Sequence, residues 1–298
     1  MDDAPATHVV AEGAPRRLDA FLHTLFPQLS RRLVHAVIAE GAVRVNSRPG
    51  RKGTLLAPGD RVTAPRIGAL APDPSLDVPV VYLDDAVVVV DKPGGMPGHA
   101  LDPRQRGTVA SFLLARWPEM ATVGEALAPG LVHRLDTGTS GLLAAARTPD
   151  AFAALRAAFR VGQVQKRYLA VVAGTAPLHT TVEVSLRHDP RDRRRMVPAH
   201  EGTRGWRARS VVDSVAAYGD RQLVRVAIST GVTHQVRAHL ALLGHPVLGD
   251  DLYGGPPAAL PPARHALHAA ALDFPHPTRG NLVSLEAPLP ADLATLLG

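Results

Sequence analysis

Leu18, Phe21, Leu22 and Leu25 fall at i, i+3, i+4 and i+7, the spacing of one face of a helix. A second helix follows, with Leu33, Val34, Val37 and Ile38 on its apolar face, Ser30 placed to cap it and Gly41 to end it. Val43 and Val45 then alternate as a short strand, and Pro58-Gly59-Asp60 reads as a turn. From Ile67 to Pro79 the periodicity lapses, and Pro72, Pro74 and Pro79 predict a semi-rigid spacer and a domain boundary. Beyond it, runs at Val87 to Val90, Leu142 to Ala146, Tyr168 to Val172 and Leu223 to Ile228 predict strands. Asp150 to Phe159 predicts a helix capped by Asp150. Val236, Leu240 and Leu243 predict another, capped by Thr233 and ended by Gly244. Short strands and helices in irregular order indicate α+β rather than a regular parallel α/β fold.

The length of 298 residues suits about two domains. Aromatic residues make up only 4 %, so the core must be built from Ala, Val and Leu. Charge is uneven. Residues 16–66 carry ten basic groups against three acids, a net +7, more than the +6 of the whole chain. A second cluster, Arg187 to Arg209, holds eight arginines and nets +5; such a run reads as a solvated loop that can also touch phosphates. Cysteine is absent, which excludes disulfides, thiolate zinc sites, iron–sulfur clusters and a cysteine nucleophile. No apolar run approaches the ~20 residues of a membrane span, and the first residues show no signal-peptide pattern. A soluble, cytoplasmic protein is expected.

Three segments can carry chemistry. Pro129 to Gly141 is a polar, glycine-rich loop running into a strand, and a carboxylate in it has hydroxyls and loop amides close by to hold it. That carboxylate either acts on a substrate or caps its own turn. Tyr168 follows Lys166 and Arg167 in a strand, where it either stacks on a nucleobase or fills the core. In Thr230 to Leu240, His234 and Arg237 lie three apart on one helix edge. Arg237 would be partly buried there and would need a carboxylate. Six histidines in the last third have no recognised metal-ligand spacing, so no metal is expected.

The N-terminal order Arg17-Leu18-Asp19, Ser30-Arg31-Arg32, Gly41 to Asn46 and Gly59-Asp60 resembles the small RNA-binding domain first known from a small-subunit ribosomal protein. Nearly the whole remaining chain resembles the RluA-type pseudouridine synthases, which isomerise uridines in large-subunit ribosomal and some transfer RNA. The resemblance rests on Asp85 to Gly95, His133-Arg134-Leu135-Asp136-Thr137-Gly138-Thr139-Ser140-Gly141, Lys166-Arg167-Tyr168, Thr230 to Arg237, Gly244-His245-Pro246, Gly249 to Gly254 and the His268 and His276 segments. It implies a catalytic domain with a mixed, largely antiparallel central sheet flanked by helices and loops, beside a small α+β RNA-binding domain.

The implied boundaries are 1–66 for the RNA-binding domain, 67–79 for the linker and 80–298 for the catalytic domain. The resemblance also implies Asp136 as the catalytic aspartate, Arg134 near a flipped nucleotide, Tyr168 packed on the target base, and Arg237 as the basic partner of Asp136. It implies no cofactor, an RNA partner (large-subunit rRNA first, tRNA second), no membrane, and a monomer without an obligate protein partner. Val232 stands where the family usually has Arg, which puts an RNA contact in doubt. The competing reading is a non-catalytic RNA-binding or ribosome-assembly protein of the same fold.

Overall fold

The computed structural model describes residues 5–27, 29, 31–65, 70–175, 179–200 and 202–298. The N-terminal region folds as β1 (Ala6–Val9), α1 (Leu18–Leu25), α2 (Arg31–Ala39), β2 (Arg44–Val45), β3 (Arg48–Pro49) and β4 (Arg61–Ala64). Its sheet runs β1-β4-β2-β3. Both predicted helical faces are the buried ones: Leu18, Phe21 and Leu22 meet Leu33, Val34, Val37 and Ile38 in one core with Val43, Val45 and Val62. The expected cap Ser30 lies outside the described residues. Gly41 ends the second helix at φ +73°, a left-handed conformation that costs glycine nothing.

The rest of the chain forms β5 (Val80–Leu83), β6 (Val87–Lys92), α3 (Val109–Arg116), a 3₁₀ turn (Pro118–Thr122), β7 (Gly124–Glu125), β8 (Ala128–Pro129), β9 (Ser140–Ala146), α4 (Pro149–Arg160) and β10 (Gln165–Ala173). It continues with β11 (His179–Glu183), β12 (Leu186–His188), β13 (Met196–Pro198), β14 (Arg209–Tyr218), β15 (Arg221–Ile228), α5 (Gln235–Leu242), β16 (Leu267–Pro275), β17 (Leu282–Glu286) and α6 (Ala291–Ala294). A nine-stranded sheet runs β11-β14-β15-β10-β16-β9-β6-β5, with β17 paired to β16. Among the described strands only the β16–β9 pair is parallel. The architecture is α+β with a mixed, largely antiparallel sheet.

Both faces of this sheet are covered. Val88, Val90, Leu143 and Ala145 enter the larger core, whereas Val87, Val89, Leu142, Ala144 and Ala146 enter a second core against Ala151 and Leu155 of α4. The period of two therefore sends alternate side chains into different cores, which explains why β6 and β9 are apolar along most of their length. The proline-rich stretch is packed along the body: Leu70 and Val78 are buried in the larger core, and Asp73 accepts from Gly107 N–H at 3.1 Å.

Two expected caps are corrected. Thr148, not Asp150, caps α4, its hydroxyl accepting from Ala151 N–H at 3.2 Å. His234, not Thr233, stands at the N-cap of α5, at φ 55° and ψ 18°.

Candidate active site

Asp136 sits in the loop between β8 and β9, 17 % exposed. The loop is held from behind. Thr139 N–H donates to Asp136 O at 3.0 Å. The buried Lys92 ammonium donates to Thr137 O at 3.1 Å. Arg264, also buried, donates to Gly138 O at 2.6 Å and to Ser140 Oγ at 2.9 Å. Two glycines permit this approach. A Cβ on Gly138 would lie 2.6 Å from Ala263 O, and one on Gly141, at φ +110°, 2.3 Å from Ala269 O.

Two of the loop's hydroxyls turn away from Asp136. Thr139 Oγ1 pairs with His265 Nε2 at 2.8 Å and Ser140 Oγ with His268 Nδ1 at 2.8 Å, so both hydroxyls turn into the protein. Burial lowers His265 to about 4, which keeps it neutral. His133, the first residue of the signature run, accepts from Ala144 N–H at 2.9 Å and stacks on Phe159 at 4.8 Å between centroids. Burial lowers it to about 3, so it too is neutral and holds the loop.

The support for Asp136 comes from α5. Arg237 Nη1 donates to Asp136 Oδ2 at 2.9 Å across 101 residues of sequence. The rest of its fork is bound to a second carboxylate: Nε donates to Asp250 Oδ2 at 2.6 Å and Nη2 to Asp250 Oδ1 at 2.7 Å. Arg237 is 8 % exposed and Asp250 1 %. Its guanidinium also lies 5.1 Å from the Tyr253 ring centroid. A bidentate pair of this kind sets the direction of the remaining N–H as well as its charge. His234, in its left-handed N-cap turn, brings Nε2 to 3.8 Å from Asp136 Oδ1 and Nδ1 to 3.2 Å from Tyr253 Oη. Burial pushes the Asp136 carboxyl up, but His234 and Arg237 outweigh it, and Asp136 is held below the ordinary carboxyl range.

Asp136 opens onto a cleft of about 1260 Å³. Arg134, Arg156, Arg160, Lys166, Arg207 and Arg237 line it, against Glu125 and Asp136 as the acids among the described residues. Tyr168 packs into the larger core and also lines the cleft. Burial first, then the Asp136 charge, pushes its phenol well up, so it is neutral. Lys166 donates to Thr230 O at 2.7 Å and is lowered by burial to about 8. Arg134 is exposed at the cleft, with no carboxylate paired to it among the described residues.

The four expected residues thus share one cleft. His234, singled out beside Arg237 in the sequence, joins them, and Asp250, Lys92, Arg264 and His265 support the site without having been expected to. Asp250 carries a signal, because Gly249 to Gly254 belongs to the same resemblance as the Arg237 segment; Arg264 carries none.

Comparison with known proteins places this geometry. Residues 86–242 match the RNA pseudouridylate synthase model, and residues 16–62 match the S4 domain. The chain is 39 % identical to an uncharacterized RNA pseudouridine synthase of Chloroflexus aurantiacus, over 94 % of this chain and 89 % of that protein. It is 36 % identical to ribosomal large subunit pseudouridine synthase D of Neisseria meningitidis, over 97 % of this chain and 80 % of that one. The solved structure of human RNA pseudouridylate synthase domain containing 1 superposes with a TM-score of 0.56 at 26 % identity, covering 74 % of this chain and 86 % of that one. With the match spanning more than half of the chain, from β6 through α5, the chain belongs to the RNA pseudouridylate synthase family of isomerases and carries an S4 domain ahead of the matched region.

Proposed function

We propose that this chain converts specific uridines of large-subunit ribosomal RNA to pseudouridine, with Asp136 as its catalytic residue. The observation that carries the reading is an ionised aspartate, aimed by the Arg237–Asp250 fork, at a cleft lined by cations. The relatives named for the large ribosomal subunit favour rRNA over tRNA as substrate.

The reaction breaks the N1–C1′ bond, turns the uracil and joins C5 to C1′. The C5 proton leaves and N1 gains one, so no electrons are exchanged and no atoms are added. A carboxylate that stays ionised can attack as a nucleophile or remove a proton. The base must leave its stack to reach Asp136. Tyr168 then offers a neutral ring to pack on it. Arg134, exposed and uncommitted, takes the space the base vacates. The +7 of residues 16–66 supplies phosphate contacts that fix orientation. In this reading residues 1–66 form the RNA-binding domain, 67–79 the connection and 80–298 the catalytic domain.

The test is a map of pseudouridines in large-subunit rRNA from a strain lacking the gene. At least one site is expected to vanish, to return with the wild-type gene and to stay absent with Asp136→Asn. An unchanged map would refute the rRNA assignment. Full restoration by Asp136→Asn would refute the catalytic role and favour the non-catalytic reading.

A further inference from the structure

We propose that Trp206 is a stacking platform for a nucleobase flanking the target uridine, placed at the cleft by the arginine-rich segment. The inference rests on reading the cleft as an RNA site. Trp206 is one of two tryptophans in the chain, and it stands 55 % exposed while lining the cleft that holds Asp136. A large apolar ring left in water beside a functional cleft needs a reason.

The backbone beneath the ring is fixed in place. Its backbone forms a two-way bridge to β12: Leu186 N–H donates to Trp206 O at 2.9 Å and Trp206 N–H to Leu186 O at 2.8 Å. His188 meets the ring at 5.6 Å between centroids and an interplanar angle of 86°, an edge contact and not a stack. Gly205 allows the close approach, since a Cβ there would lie 2.6 Å from Ala199 Cβ. A side chain rooted on fixed backbone has only its own two torsions left to order on binding.

Its surroundings select the ligand. Arg191, Arg193, Arg204 and Arg207 on the same segment are exposed and have no carboxylate partner among the described residues. An exposed ring amid uncommitted cations suits a base with its phosphates, the pattern by which single strands are held. It is a poor match for an apolar protein face, which would have to strip water from those charges.

Fluorescence tests this in the full chain. Trp117→Phe leaves Trp206 as the sole tryptophan, and the probes are a single-stranded oligouridylate and a base-free ribose-phosphate strand of equal length. Oligouridylate is expected to quench Trp206 and the base-free strand is not. Trp206→Ala is expected to weaken oligouridylate binding about tenfold and leave the base-free strand unchanged, as the absence of one stacked base predicts. Trp206→Phe, which keeps a ring, is expected to lose only part of that affinity. Arg207→Ala is expected to weaken both strands and lower the log–log salt slope by about 0.7, while Trp206→Ala leaves the slope alone. Equal losses on both strands in Trp206→Ala, or binding without any change in Trp206 emission, would overturn the proposal and leave the ring as a protein-contact surface. Failure of the wild-type chain to bind either strand would instead overturn the RNA reading of the cleft.

Discussion

Basic side chains are placed in opposite ways in the two regions. In the N-terminal region Arg31, Arg32, Arg44, Arg48, Arg51, Lys52 and Arg61 are exposed. Behind and beside Asp136 three basic side chains are buried, Arg237 on two carboxylates, Arg264 on carbonyls and Asp292, and Lys92 on three carbonyls, while Arg134 at the cleft mouth stays exposed. An exposed charge keeps its hydration and acts at a distance through screened attraction. A buried one has lost that hydration, so each donor must find an acceptor, and the result is a rigid aim rather than a field. The same residue types therefore suit long-range attraction in one region and rigid positioning in the other.

The strongest way to sharpen this contrast is Asp136→Asn, which keeps the shape and removes the charge. Turnover is expected to fall below detection while RNA affinity stays within a few-fold; substantial turnover by the purified variant would break the assignment. Asp136 also has an acid signature. Because its carboxyl is held below the ordinary range, the stability contributed by its pairing is complete above the ordinary carboxyl value and is lost as pH falls through the lowered one.

Arg237→Met comes next. Asp136 loses the donor that aims it, and turnover is expected to fall at least ~100-fold, about 2.7 kcal/mol of transition-state stabilisation at about 1.4 kcal/mol per tenfold. Stability falls too, because Asp250, 1 % exposed, loses both donors. The double variant Arg237→Met with Asp250→Leu separates the effects. Melting should recover while turnover does not; recovered turnover would show that the fork only holds the fold.

Replacing Arg31 and Arg32 by alanine probes the other region. The effect should enter through KM, with the log–log salt slope of RNA binding reduced by roughly 0.7–0.9 for each phosphate no longer neutralised. An unchanged slope would separate these side chains from RNA.

The smallest effect is expected at Lys166. Burial lowers it to about 8, so its charge is lost as pH rises through that value, and RNA affinity should decline there. Stability should move the other way between about 8 and the ordinary lysine value, since the unfolded chain then holds more protons than the folded one. Lys166→Met should flatten both trends; an unaltered affinity profile would place the titration elsewhere.

Much of this is legible in one dimension. The faces of α1 and α2, the strands β6, β9, β10 and β15, and the loop around Asp136 are local patterns, and each is recorded where apolar spacing or glycine demands it. The long strands β14 and β16 are not visible in that way. Their sequences mix Ser, Asp, His and Ala, and they become strands because neighbours on both sides satisfy their backbone groups. Capping is misread at α4 and α5 for a related reason, since Asp, Thr and His near a helix start compete and only the final backbone path chooses among them.

By itself the sequence determined the two-region organisation, the basic N-terminal face and the need of Arg237 for a carboxylate. Those follow from spacing, charge and the cost of a bare buried cation. The resemblance implied Asp136 as one partner, and only the tertiary structure showed that Asp250 is the other. Asp136 and Asp250 reach Arg237 because β9, α5 and the turn at Gly249 converge, and local spacing does not encode that convergence. It also turned Thr139 and Ser140 away from Asp136 toward His265 and His268, because the parallel pairing of β16 with β9 brings those partners within reach of the loop.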